Sequence, residues 1–157
     1  DSTTTPLLGI TNVYNKSDLK LCGISCVGSK DNLPINAGTE FFVIQVTNNS
    51  INSIFINNLQ LNYVIHKWDS QTAGAALNLS SNLPTGSYPH AGKFSILKTS
   101  SNIQSATSEI KSGQTVNILV KLDSTIPDIS LNKVIRVLLN VGSNQPVEFL
   151  IESGGVV

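Results

Sequence analysis

Apolar residues recur at every second position along most of this chain. That period belongs to a β-strand with one buried face, because successive side chains leave a pleated backbone on opposite sides. Glu40–Thr47 places Phe42, Ile44 and Val46 on one face. Thr115–Leu122 does the same with Val116, Ile118, Val120 and Leu122. Lys133–Val141 contributes Ile135, Val137, Leu139 and Val141. Val147–Ile151 turns Val147, Phe149 and Ile151 inward and Glu148 outward. Gly9–Tyr14, Leu19–Val27, Ile54–Ile65 and Lys93–Leu97 have strand composition with a weaker pattern. The stretch Ile54–Trp68 is long for one strand, and a bend or bulge is expected near Asn57 and Asn58. No segment carries a sustained helical period; only short helical turns are expected, near Asp69–Leu77 or Gln104–Glu109.

Seven to eight antiparallel strands in 157 residues imply an all-β domain of two packed sheets, an immunoglobulin-like sandwich with Greek-key connections. A closed barrel is the alternative. The length suits one domain. Residues 1–8 read as an N-terminal linker or segment and 9–157 as the single β-sandwich domain. The longest irregular stretch, Asp69–Ala91, holds Gly74, Pro84, Gly86 and Pro89. It reads either as a surface crossover between sheets or as a lateral contact with a partner.

Charged residues make up only 13% of the chain, about half the roughly 25% usual in globular proteins. Ser, Thr and Asn fill the difference. Formal net charge is zero and Arg136 is the one arginine. Nucleic-acid binding needs a basic stripe that displaces counterions, and none is present. An anionic membrane surface lacks support for the same reason. A neutral polar surface of this kind suits an extracellular or cell-surface protein. No apolar run is long enough to span a bilayer, so a membrane contact is expected only through a segment outside this chain, ahead of Asp1. Three sequons, beginning at Asn15, Asn48 and Asn78, are candidate N-glycosylation sites in an exported chain.

Candidate chemistry is sparse. Cys22 and Cys26 are separated by three residues. On an extended strand they would lie about 13 Å apart, so a disulfide requires a tight loop through Gly23; two buried thiols are the other reading. A lone C-x3-C lacks the further ligands zinc needs. His66 ends a strand and His90 sits in the long loop, neither within a recognisable catalytic motif. Asp123–Asp128 lacks the dense acidic spacing of a calcium loop. No catalytic residue, metal or cofactor is therefore assigned, and no enzyme activity is expected. Tyr63, Trp68 and Tyr88 are the candidate ligand or partner contacts. Their exposure on one face would favour a carbohydrate-binding or adhesin module.

The run Gly38-Thr39-Glu40-Phe41-Phe42-Val43-Ile44-Gln45-Val46-Thr47-Asn48-Asn49-Ser50, followed by Ile54–Asn58, forms a strand, a polar turn and a second strand. Ile110–Val116 has the form of a turn that introduces another strand. Together with the ending Pro146–Gly154, these segments resemble the outer domain of archaeal flagellins (archaellins) and related type IV pilin-like proteins. The resemblance spans about Gly38 to Gly154. In that family an apolar N-terminal helix packs in the filament core and a β-sandwich faces outward; this chain lacks the helix. The resemblance implies a structural domain of a surface filament or of its envelope anchor. Its partners would be copies of itself, related filament subunits or a surface-layer protein. Motility and adhesion are both compatible with it. Low charge also removes long-range repulsion between identical subunits, and edge strands are the natural contacts.

Overall fold

The computed structural model describes residues 8–16, 41–78, 87–123, 125, 134–142 and 146–152. It is all-β, with no helix among the described residues. The described residues form ten strands in chain order: β1 (Leu8–Lys16), β2 (Phe41–Asn48), β3 (Ile54–Phe55), β4 (Asn58–Leu61), β5 (Val64–Trp68), β6 (Lys93–Lys98), β7 (Glu109–Ile110), β8 (Thr115–Lys121), β9 (Val134–Asn140) and β10 (Val147–Glu152). Eight form one curled sheet in the order β1-β2-β8-β6-β5-β4-β9-β10, while β3 and β7 make a separate two-stranded ribbon. The expected strand Leu19–Val27 and the expected linker residues before Leu8 lie outside the described residues.

The four strongly alternating segments appear as β2, β8, β9 and β10. Their inward residues meet in one core with Leu59 and Leu61 of β4 and with Phe94 and Ile96 of β6. Curling of the sheet lets its two halves share that core. The edges β1 and β10 also come close to one another.

The expected bend near Asn57 and Asn58 is present, because Ile54–Phe55 pairs with β7 while Asn58–Leu61 pairs with β5 and β9. A second break falls at Asn62-Tyr63, where φ is +47° and +74°. Leu61 and Val64 are paired on either side, which makes this a two-residue hairpin with both central residues left-handed. Asn62 also anchors the turn to β9: its N–H donates to the Arg136 carbonyl at 2.9 Å, and its Oδ1 accepts from the Arg136 N–H at 3.0 Å. A wholly antiparallel sheet was expected. The pair β5–β6 is instead parallel, Lys67 beside Lys93 and Trp68 beside Phe94. A long connection between the two strands, residues 69–92, permits that pairing. The helical turns expected at Asp69–Leu77 and Gln104–Glu109 are replaced by turns and isolated bridges, Ala76 with Ile103 and Leu97 with Gln104.

Candidate functional site

The two halves of the sheet differ on their outer face. In β2, β6 and β8 nearly every residue is buried, the burial of strands covered on both sides. Their outward residues Phe41, Val43, Leu97 and Leu119 are at most 1% exposed. The connection 69–92 supplies part of the cover, since Tyr88 packs edge-on against Phe41 with ring centroids 5.8 Å apart. In β5, β9 and β10 burial alternates instead. The outer face of this half presents Ile65, Tyr63, Val134 and Leu150, which are 52%, 73%, 69% and 72% exposed. They share this face on separate rungs of the ladder, with Gln60, Leu138, Arg136 and Glu148 among them. Ile65 lies opposite Gln60, Gln60 opposite Leu138, and Leu138 opposite Glu148, while Arg136 lies opposite Leu150. The face carries an ion pair, in which Arg136 donates to Glu148 at 2.5 Å, and the exposed Lys67 of β5. The Arg136 guanidinium also lies over the Tyr63 ring, 4.5 Å from its centroid.

A polar cluster holds the neck of the connection. Asp69 is fully buried at its start, and its carboxylate accepts from the Gln71 N–H at 2.9 Å, the His90 N–H at 2.8 Å and His90 Nδ1 at 2.7 Å. Burial alone would raise the Asp69 pKa; the His90 backbone and ring hydrogen bonds and the Gln71 N–H outweigh it, so the pKa lies below the ordinary carboxylate value. His66 is fully buried beside this neck. Its Nδ1 faces the Val64 carbonyl at 2.9 Å, and its Nε2 accepts from the Asp123 N–H at 3.2 Å. Those partners fix the neutral tautomer with the proton on Nδ1, and burial lowers its pKa. Asp123 in turn accepts from the N–H and Oγ1 of Thr125, which lower its pKa. Each histidine is thus engaged in holding chain segments together. No group of three or more His, Cys, Asp or Glu suited to a metal occurs among the described residues.

The three aromatic candidates are not brought into one row. Tyr63 is exposed at a hairpin tip. Trp68 packs partly buried against Phe94, ring centroids 5.7 Å apart. Tyr88 is 5% exposed, inside the cover. The turn and packing roles of these residues give no sequence signal distinct from that of a ligand contact. The outer face built from Ile65, Val134 and Leu150 was missed altogether. Its signal was an apolar residue at an outward position of an alternating strand, notably Leu150 between Phe149 and Ile151.

Asn48, a sequon asparagine, is fully buried. Its Nδ2 donates to the carbonyls of Asn52 and Ile110, both at 2.9 Å, and its Oδ1 accepts from the N–H and Oγ of Ser50. Both amide hydrogens are committed, and a glycan on Nδ2 would displace at least one of these hydrogen bonds. Asn78 is exposed, at a bridge with Ser87. Asn15 lies in β1 opposite Phe42. Cys22 and Cys26 lie outside the described residues. A shallow groove of about 330 Å³ runs beside Lys98, Gln104, Glu109 and Lys111, away from the neck cluster. No helix of the described chain is long and apolar enough to cross a membrane. No family model matches the chain, and no curated protein matches it either.

Proposed function

We propose that this chain is a structural, non-catalytic domain on the outside of an archaeal cell. It belongs to a surface filament of the archaellum or type IV pilus-like kind, or to the component anchoring that filament in the envelope. It acts through protein–protein assembly with copies of itself, related subunits or a surface-layer protein. The finer architecture is an immunoglobulin-like β-sandwich, in which the β2-β8-β6 half packs over the β4-β9-β10 half. A single core fed by both halves supports this.

The observation that carries the reading is the uncovered outer face of β5, β4, β9 and β10. Exposed Tyr63, Ile65, Val134 and Leu150 surround one internally neutralised ion pair. Clustered apolar residues on a monomer's surface mark contact sites more often than scattered ones do. The absence of a basic stripe on this face favours a protein surface over nucleic acid or an anionic bilayer. The histidines and buried carboxylate of the neck hold chain segments in place, which accords with a structural role.

Immunogold electron microscopy of the source cells, with antibody raised against this domain, tests the proposal. Label along thin appendages is expected for a filament subunit, and label at their bases for an anchor. Label spread over the envelope with bare appendages would sink the filament reading.

A further inference from the structure

A row of cations and amides crosses the outer face of the sheet at one rung. Ladder register sets Lys93 of β6 beside Lys67 of β5, Lys67 beside Asn58 of β4, and Asn58 beside Asn140 of β9. The flanking residues His66, Leu59, Phe94 and Leu139 are fully buried on the inner side, so these four point outward. Lys67 is exposed and the other three are half-buried. The row covers three strand spacings, about 14 Å. On the same rung beyond Lys93, Lys121 of β8 is engaged within the fold: it is buried, and its ammonium lies 4.5 Å from the centroid of the Phe41 ring.

The row contains no carboxylate. The ion pairs among the described residues are His90–Asp69 and Arg136–Glu148, and neither involves Lys67 or Lys93. Asp69 and Asp123 at the neck are held by Gln71 and His90 and by Thr125. Like charges directly opposite oppose pairing, and Lys67 with Lys93 makes one of only two pairs in the β5–β6 ladder. Such a pair adds no attraction to the fold, whereas an anion laid across it meets two ammoniums at once. Asn58 and Asn140 extend the row with side-chain amides, groups that donate and accept. Asn140 Oδ1 takes the Gly142 N–H at 3.1 Å, which leaves its NH₂ to donate.

We propose that this row binds an acidic polysaccharide running across the strands, its carboxylates at Lys67 and Lys93 and its hydroxyls at Asn58 and Asn140. Charge complementarity selects an anionic occupant, and the two amides select one that also presents hydroxyls. An acidic peptide gains affinity from main-chain hydrogen bonds at a sheet edge, and this row lies on a sheet face. Two ammoniums are too few for the counterion release that drives nucleic-acid binding. The row excludes Tyr63, Ile65, Val134 and Leu150, so it stands whether or not those residues form the assembly contact.

Calorimetric titration of the full chain with polygalacturonate oligomers at physiological ionic strength tests the site, with the methyl-esterified oligomers and polyglutamate as comparisons. Wild type is expected to bind the acid form in preference to both. The double variant Lys67→Gln, Lys93→Gln keeps most of each stem and removes the charge. Its melting temperature is expected to hold or rise, because a like-charge pair is relieved, and its affinity to fall roughly 10-fold or more. The double variant Lys98→Gln, Lys111→Gln changes exposed lysines of the shallow groove and is expected to bind like wild type. Asn58→Ala is expected to weaken binding without changing its salt dependence, since no charge is lost. A wild type that does not bind the acid form overturns the proposal. So does equal binding of polyglutamate or of the methyl ester, and so does equal loss in the two lysine variants. A domain that ignores the polysaccharide while its antibody decorates appendages would remove this site and leave the assembly reading standing.

Discussion

The Asp69–His90 clasp should hold the neck of the 69–92 connection, and Asp69→Asn tests it with little change in shape. The native carboxylate takes three hydrogen bonds, from the Gln71 N–H and from the N–H and ring Nδ1 of His90. An asparagine keeps one oxygen as acceptor and turns the other position into an NH₂ donor. At Oδ2 that NH₂ would face two donors, and at Oδ1 it would face one. A hydrogen bond to a charged group contributes about 1.5–3 kcal/mol, and a buried donor left unpaired costs about 1–3 kcal/mol. Because His90 is partly exposed and its ring can turn to water, the lower part of that range applies, giving a loss of about 2–3 kcal/mol. For a chain of this size, that lowers Tm by about 4–12 °C. Urea denaturation of wild type and variant measures the loss. Limited proteolysis of the native state should show earlier cleavage within 69–92 in the variant. A loss below about 0.5 kcal/mol, the range of ordinary surface substitutions, with an unchanged cleavage pattern, would refute the clasp.

Stability should also fall with acid through His66. Its folded pKa is lowered by burial, so the neutral form is the one the fold accepts. Its contribution is therefore complete above the unfolded value of about 6.5 and is lost as pH falls from there toward the folded pKa. His66→Leu should remove this dependence between pH 7 and 5, as read from urea midpoints, and cost about 2–4 kcal/mol at neutral pH by orphaning the Val64 carbonyl and the Asp123 N–H. Asn48→Asp should cost about 2–4 kcal/mol, because a carboxylate oxygen would face the carbonyls of Asn52 and Ile110; thermal melts check it. Peptide mass spectrometry of protein from the source cells should find no glycan on Asn48. Gly92→Ala should destabilise by about 1–3 kcal/mol, since φ is +80° and the added Cβ would sit 2.8 Å from Asp123 Oδ2; a chemical melt reads this directly.

The parts of the fold legible in the sequence are those set by local periodicity. β2, β8, β9 and β10 each place an apolar residue at every second position, and those inward residues meet in the core that the period implies. What stayed illegible depends on partners distant in sequence. The hairpin at Asn62-Tyr63 lacks the glycine that usually marks two left-handed residues, and contacts to Arg136 help fix it. The parallel β5–β6 pair joins residues on either side of a long irregular connection, where no pattern announces a register. Asp69 and His90 are 21 positions apart, so neither advertises the other; only the Asp69 carboxylate capping the Gln71 N–H is a local turn signal. Asn48-Asn49-Ser50 shows a deeper ambiguity. An asparagine whose side chain takes the N–H and hydroxyl of a serine two residues on satisfies a sequon and an Asx-turn alike. Burial alone separates them.

The uneven cover of the sheet links these observations to function. A curled sheet offers its concave face to its own core, and the convex face must be dealt with separately. Along β2, β8 and β6 the convex positions Phe41, Val43, Leu97 and Leu119 are apolar and buried, so that half cannot serve as a contact without losing its cover. Along β9 and β10 the convex positions alternate apolar with charged, Val134, Arg136, Leu138, Glu148 and Leu150. Were that face meant only for water, substituting its apolar members by lysine or glutamate would cost little, since β propensity spans only about 1 kcal/mol. Leu150 and Val134 instead spend exposed area on contact with solvent, while the ion pair between Arg136 and Glu148 removes the charge that would hold a neutral neighbour away. Among the described residues, the half of the sheet left bare is thus also the half that holds the Arg136–Glu148 ion pair and whose edge strand is unpaired.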